Sequence, residues 1–153
     1  DDFHARFSAV SRTYEYWIST VKDPFLINRA HIIFKKLDLE IMNKASLLLL
    51  GKNDFSSFAK SKPNNPICYI YSADWIMSKN MLIFSIEADR FLYNMVRCLV
   101  GTLIDVGLKK TSLKDFIKII NSHNRSLSGS SVPAHGLYLM HVKYPKHYHF
   151  EEF

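Results

Sequence analysis

The chain has 153 residues, 48% hydrophobic and 22% charged, which suits one globular domain with a substantial core and excludes a disordered or collagen-like chain. Twenty lysines and arginines face fourteen acids, a formal net charge of +6 that favours a polyanionic partner, nucleic acid before membrane. No apolar run reaches membrane-spanning length and Asp1-Asp2-Phe3-His4 is unlike a signal peptide, so a cytoplasmic location is expected.

Residues 1–10 show no clear period; Arg6, between Ala5 and Phe7, is either a solvated loop arginine or a phosphate contact. Residues 11–20 alternate, with Arg12, Tyr14, Tyr16 and Ile18 on one face and Thr13, Glu15, Trp17 and Ser19 on the other, which predicts a strand. Arg12 and Tyr14 then form either a cation-plus-ring surface or part of an ordinary cross-strand pairing. Asp23-Pro24 marks a turn, and 25–36 is a connector ending in the apolar run His31-Ile-Ile-Phe34. Asp38 caps a predicted helix carrying Ile41, Met42, Ala45, Leu48 and Leu49 on one face, with Gly51 as its stop. Asn53 to Phe58 reads as a tight turn anchored by two phenylalanines, and Lys60 to Pro66 as a polar loop.

Residues 67–77 and 81–88 read as two strands of a hairpin turning at Ser78-Lys-Asn80. A helix over 91–108 follows, apolar on nearly every side, as a fully buried helix is. Between Arg90 and Asp105 its one formal charge is Arg97, with Asn94 and Gly101 on the same face. Gly101 costs about 1 kcal/mol in helix propensity and lets another backbone or a ligand come close. A guanidinium there keeps its proton and needs acceptors or an anion, yet no acid lies three or four residues away. Arg97 therefore reaches solvent, pairs with a distant structural carboxylate, or meets a ligand.

Ser112 opens a shorter amphipathic helix with Phe116, Ile117, Ile119 and Ile120 inward. A serine-rich loop spans 125–131, a last strand 137–142, and the tail from Pro145 to Phe153 is expected to fray. Hairpin strands mixed with core helices predict a single α+β domain, its largely antiparallel mixed sheet covered by helices on one face. Cys68 and Cys98 stand in apolar contexts and read as free thiols; neither they nor the histidines, His147 and His149 included, show metal-ligand spacing. Glycine-rich phosphate loops, Gly-x-Ser-x-Gly and His-Glu-x-x-His are all missing from the sequence. Asp74 and Asp89, the nearest candidates for acid chemistry, read as structural.

Five stretches in order carry a resemblance: Asp2-Phe-His-Ala-Arg-Phe-Ser-Ala9, Arg12-Thr-Tyr14-Glu-Tyr16, Gly51-Lys-Asn-Asp-Phe-Ser-Ser-Phe58, Phe91-Leu-Tyr-Asn-Met-Val-Arg97-Cys-Leu-Val-Gly101 and Pro133-Ala-His-Gly-Leu137-Tyr-Leu139. Together they resemble the C-terminal half of a TruA-type tRNA pseudouridine synthase. The resemblance implies isomerisation of uridine to pseudouridine in the anticodon stem-loop of tRNA, by a homodimer, without metal or organic cofactor. In that family an aspartate attacks the flipped-out uridine, the glycosidic bond breaks, and the turned base is rejoined through carbon. By resemblance, Arg97 holds that aspartate ionised and oriented, and Tyr14 lies against the base and takes part in removing the proton from carbon 5. Leu137 is then an apolar wall of the pocket, while Arg6 and Arg12 contact the RNA backbone.

The family's Arg-Thr-Asp-Ala-Gly stretch, which bears the nucleophile, is not in this sequence, and Val132 stands where the family more often has alanine. Residues 1–153 are thus expected to be a C-terminal domain, separated from the N-terminal half, that folds but does not catalyse alone. Two other readings stay open: a non-catalytic RNA-binding module, motivated by the basic excess, and an oligomerisation domain, motivated by exposed strand edges.

Overall fold

The computed structural model describes residues 3–148. Strand β1 (Ser11–Ser19) is an interior strand, its backbone paired along both edges. It pairs antiparallel with β5 (Met81–Ala88) on one side. On the other, its first half pairs antiparallel with β6 (Leu137–Lys143) and its end runs parallel to the short β2 (His31–Ile32). Beyond β5 come β4 (Ile67–Ser78) and β3 (Gly51–Asp54), both antiparallel, giving six strands in one sheet. This is the α+β mixed sheet expected.

Three helices lie on the side of the face formed by Tyr16 and Ile18 of β1, Ile70 and Trp75 of β4 and Phe84 and Ile86 of β5, all buried, the first two against the strands and the third against those two helices. They are α1 (Leu39–Leu47), α2 (Met95–Gly107) and α3 (Leu113–Ser122). Caps set two of their starts: Asp38 Oδ1 accepts from Ile41 N at 3.2 Å, and Ser112 Oγ accepts from Asp115 N at 3.1 Å. β3 shields only 67–70 of β4, and further along Asn43 of α1 covers the open edge, exchanging two hydrogen bonds with the Trp75 backbone at 2.8 and 3.1 Å. Helix α2 is buried on every side; only Arg97 and Asp105 keep partial exposure, as its unbroken apolar composition required.

Several expectations are corrected. The buried helix begins at Met95, not at 91: Phe91 and Leu92 lie outside any helix or strand, and Tyr93 enters a turn with Asn94, which adopts a left-handed conformation (φ 66°). Gly51 does not stop α1, which ends at Leu47; with φ 89° it opens β3, a strand hidden from pattern reading by its polar sequence Gly-Lys-Asn-Asp. Ile117 of α3 is exposed, because Phe116 and Ile119 already fill its inner face. The tail is docked as far as it is described: the Phe3 ring meets those of Tyr144 and Tyr148 edge-on at 5.0 Å. Residues 149–153, with His149, and Asp1 and Asp2 lie outside the described residues.

Both cysteines are free and buried, and burial pushes the Cys68 thiol up to about 11. Phe84 is fully buried and its ring lies 4.8 Å from that of Trp75. Phe84→Ala is expected to lower the unfolding free energy by about 3–5 kcal/mol, read as a shift of the urea midpoint at constant m-value.

Candidate active-site cleft

A cleft of about 830 Å³ opens where the start of β1, the strand β6, the approach to α2 and the segment 5–9 meet. Alternation along β1 aims Arg12 and Tyr14 at it, on the same face as buried Tyr16. Tyr14 sits between Ile86 and Leu139 across the sheet, and the Phe91 ring stands perpendicular to it with centroids 5.1 Å apart. That edge contact fixes the plane of the phenol ring while leaving it partly exposed to the cleft. Leu137, opposite Tyr16 on β6, and Leu139 add apolar wall.

Arg12 has a structural task. Its Nη1 donates to the Asp89 carbonyl at 2.7 Å and its Nη2 to the Arg6 carbonyl, tying two loops to the strand. Arg6 is exposed, with its guanidinium carbon 5.6 Å from the centroid of the Phe7 ring. Arg90 also lines the cleft, and Asp89 is the single acid among its lining residues. Asp89 is occupied, its Oδ1 accepting from Tyr69 N at 2.8 Å. With three arginines and one aspartate in its lining, the cleft is cationic.

Arg6, Arg12, Tyr14 and Leu137 are thereby brought together; Arg97 stands apart from them. It is not among the cleft-lining side chains, although its helix neighbours Asn94, Met95 and Val96 are. Its Nε donates to the Val132 carbonyl at 2.7 Å, and no ion pair among the described residues includes it. Its charge is felt by Tyr16, whose phenol donates to the Pro133 carbonyl at 2.6 Å. Burial pushes that phenol far above its usual range, and the nearby guanidinium only partly opposes the shift. Tyr16 is thus a neutral hydrogen-bond donor, and the positive charge of Arg97 is left without a carboxylate among the described residues.

What holds Arg97 in place is the loop 128–133, laid along the small-residue face of α2. A Cβ on Gly101 would stand within 1.8 Å of the Ser130 carbonyl oxygen, so only glycine permits this approach. Gly129 N donates to Thr102 Oγ1 at 2.9 Å and Val132 N to the Arg97 carbonyl at 3.2 Å. Ser131 Oγ receives Asn94 Nδ2 at 2.5 Å and Arg125 Nη2 at 3.3 Å, while Arg125 Nη1 reaches Ser128 Oγ at 2.9 Å. Asn94 and Gly101 could be singled out from helical spacing. Ser131, Phe91 and Tyr16 could not, since each acts through a partner distant in sequence, and Arg125, whose partners are Ser128, Gly129 and Ser131, carries no periodic signal in its loop.

Among the described residues no group of His, Cys, Asp or Glu is arranged to hold a metal ion, and no helix is long and apolar enough to cross a membrane. Residues 45–145, which include α2 and the loop that clasps it, match the sequence model of the tRNA pseudouridine synthase family. The chain belongs to this family. It is 50% identical over 150 residues to tRNA pseudouridine synthase A of Porphyromonas gingivalis, covering 94% of this chain and 59% of that protein. It is 46% identical over 148 residues to that of Bacteroides fragilis, covering 95% of this chain and 59% of the relative. The Bacillus subtilis protein of the same name is 38% identical over 148 residues, at 94% and 60% coverage. The chain thus spans about three-fifths of the length of these pseudouridine synthases.

The close approach at Gly101 makes a direct test of the clasp. Gly101→Ala is expected to destabilise by about 1–3 kcal/mol as the loop is forced off α2. Amide exchange should then speed up at Gly129 and Val132, whose N–H groups bond the helix, more than in β4 and β5.

Proposed function

We propose that residues 1–153 are the C-terminal domain of a tRNA pseudouridine synthase, a cytoplasmic homodimer that isomerises uridines of the anticodon stem-loop, and that the nucleophilic aspartate comes from the part of such a protein outside this chain. The observation that carries the reading is Arg97: a family-motif guanidinium, fixed at Nε by a carbonyl, with no carboxylate partner among the described residues. A guanidinium held through Nε keeps its Nη groups for a planar, two-point pair with a carboxylate, and such a pair holds that carboxylate ionised and oriented. Membership of the family and the adjoining cationic cleft support the same reading.

In this account the target uridine leaves the loop and lies on Tyr14, whose ring is braced by Phe91. The carboxylate attacks, the glycosidic bond breaks, the base turns, and carbon 5 bonds to the sugar as the carboxylate is released. The hydrogen on carbon 5 must then leave as a proton, a step in which Tyr14 takes part. Leu137 keeps water from the base, while Arg6 attracts the RNA backbone. Arg12 serves the substrate by shaping the wall, since its guanidinium is bonded to two carbonyls.

Because carbon 5 loses its hydrogen, turnover releases tritium from tRNA labelled there. The isolated chain is expected to release none. Grafted in place of the matching 150 residues of the Porphyromonas gingivalis relative, it should restore release. Arg97→Ala in that graft should cut the rate on the order of 100-fold or more, the loss typical of a removed, preorganised electrostatic contact. A graft that folds, by circular dichroism and thermal melting, but turns over equally well with Arg97→Ala would overturn the assignment.

A further inference from the structure

Two exposed aromatic rings stand on the rim of the cleft, and neither has a part in the chemistry above. Tyr93 is 71% exposed and Phe7 76% exposed, yet both line the same cavity as Tyr14 and Leu137. Each is presented by a built turn. Tyr93 precedes the left-handed Asn94, and its carbonyl accepts from Lys60 N at 3.1 Å. Phe7 sits in a loop closed by Ser8 N on the His4 carbonyl at 2.8 Å and by His4 N on Ser8 Oγ at 2.9 Å. The amides of Arg6 and Phe7 both turn to His4 Nδ1, at 3.2 and 3.3 Å. Each ring also carries a cation: Lys60 Nζ lies 5.4 Å from the Tyr93 centroid, and the Arg6 guanidinium 5.6 Å from that of Phe7.

A single exposed ring means little on its own. Two rings held outward by hydrogen-bonded turns, each beside a cation, on one cleft whose lining holds three arginines and one acid, form a pattern with a chemical meaning. Single-stranded nucleic acid is held by this combination, rings for the faces of unpaired bases and cations for the neighbouring phosphates. An apolar protein partner would leave the arginines and Lys60 desolvated without counter-charge, whereas RNA supplies the charge.

We infer that Tyr93 with Lys60, and Phe7 with Arg6, are stacking subsites for the unpaired nucleobases flanking the uridine that enters the cleft. The inference rests on the reading above that RNA occupies this cleft. It adds that neighbours are gripped by their faces and not their edges, so the grip tolerates any base at the flanking positions. The Phe7 ring is additionally backed by the His4 imidazole at 4.5 Å, which keeps it in place to receive a base.

The test is binding of a fluorescent 17-nucleotide anticodon stem-loop to the chain as it stands, by polarisation at low salt. Tyr93→Ala and Phe7→Ala are each expected to weaken binding roughly 5- to 100-fold, the range that the loss of one stacked base produces. Tyr93→Phe should bind as the parent does. Changing the flanking bases from purine to pyrimidine should matter little, whereas replacing them with abasic sites should weaken the parent and erase the difference between parent and alanine variants. Alanine variants that bind the intact loop as tightly as the parent overturn this inference alone. Parent chain that fails to bind the stem-loop overturns it as well, while the grafted enzyme's tritium release still decides the catalytic reading independently.

Discussion

The contact on which the site depends is between two backbones: the loop 128–133 resting on α2 at Gly101. From that contact the Val132 carbonyl meets Arg97 Nε, the Pro133 carbonyl meets the Tyr16 phenol, and the chain leaves toward Leu137 to enter the sheet beside β1. A loop is ordinarily the mobile part of a fold. Here it is fastened by Arg125, Asn94 and Thr102, so a helix, a strand and a loop act as one rigid support for a single guanidinium.

Charge is distributed in keeping with that support. Lysines occupy the surface ion pairs, as with Lys44 and Glu40 or Lys143 and Glu87, while five of the six arginines, all but Arg29, lie around the cleft and its clasp. Arg12 and Arg125 are consumed by carbonyls and hydroxyls, where several donors in a fixed plane are needed. Arg97 and Arg90 form no ion pair among the described residues, and the single acid of the cleft is occupied by a backbone amide. The result is a net positive surface, which is consistent with the RNA substrate proposed.

Local patterning made much of the fold legible. Alternation identified β1, a hairpin signal identified β4 and β5, cap residues marked the starts of α1 and α3, and a nearly all-round apolar character marked α2 as a buried helix. The candidate site was legible chiefly through its motifs: Tyr14, Leu137, Arg6 and Arg12 do converge on one cleft, and Gly101 does admit a second backbone. The left-handed Asn94 was missed because asparagine is compatible with a helix in any single-sequence reading, and β3 because a polar strand owes its existence to the neighbour it pairs with.

By itself the sequence determined most of the element types, the basic balance, and the presence of one arginine inside an apolar helix without a local acid, while its motifs carried the resemblance to the family. The first three follow from side-chain period and composition, and the resemblance from the residues of five motifs in order, all of them one-dimensional properties. Tertiary structure alone decided that Arg97 meets a carbonyl rather than a carboxylate, that Arg12 braces two loops, and that the rings of Phe91, Tyr93 and Phe7 surround one cleft. Those outcomes depend on which distant backbones come within about 3 Å of one another, the reach of a hydrogen bond, and only the packed chain sets that distance.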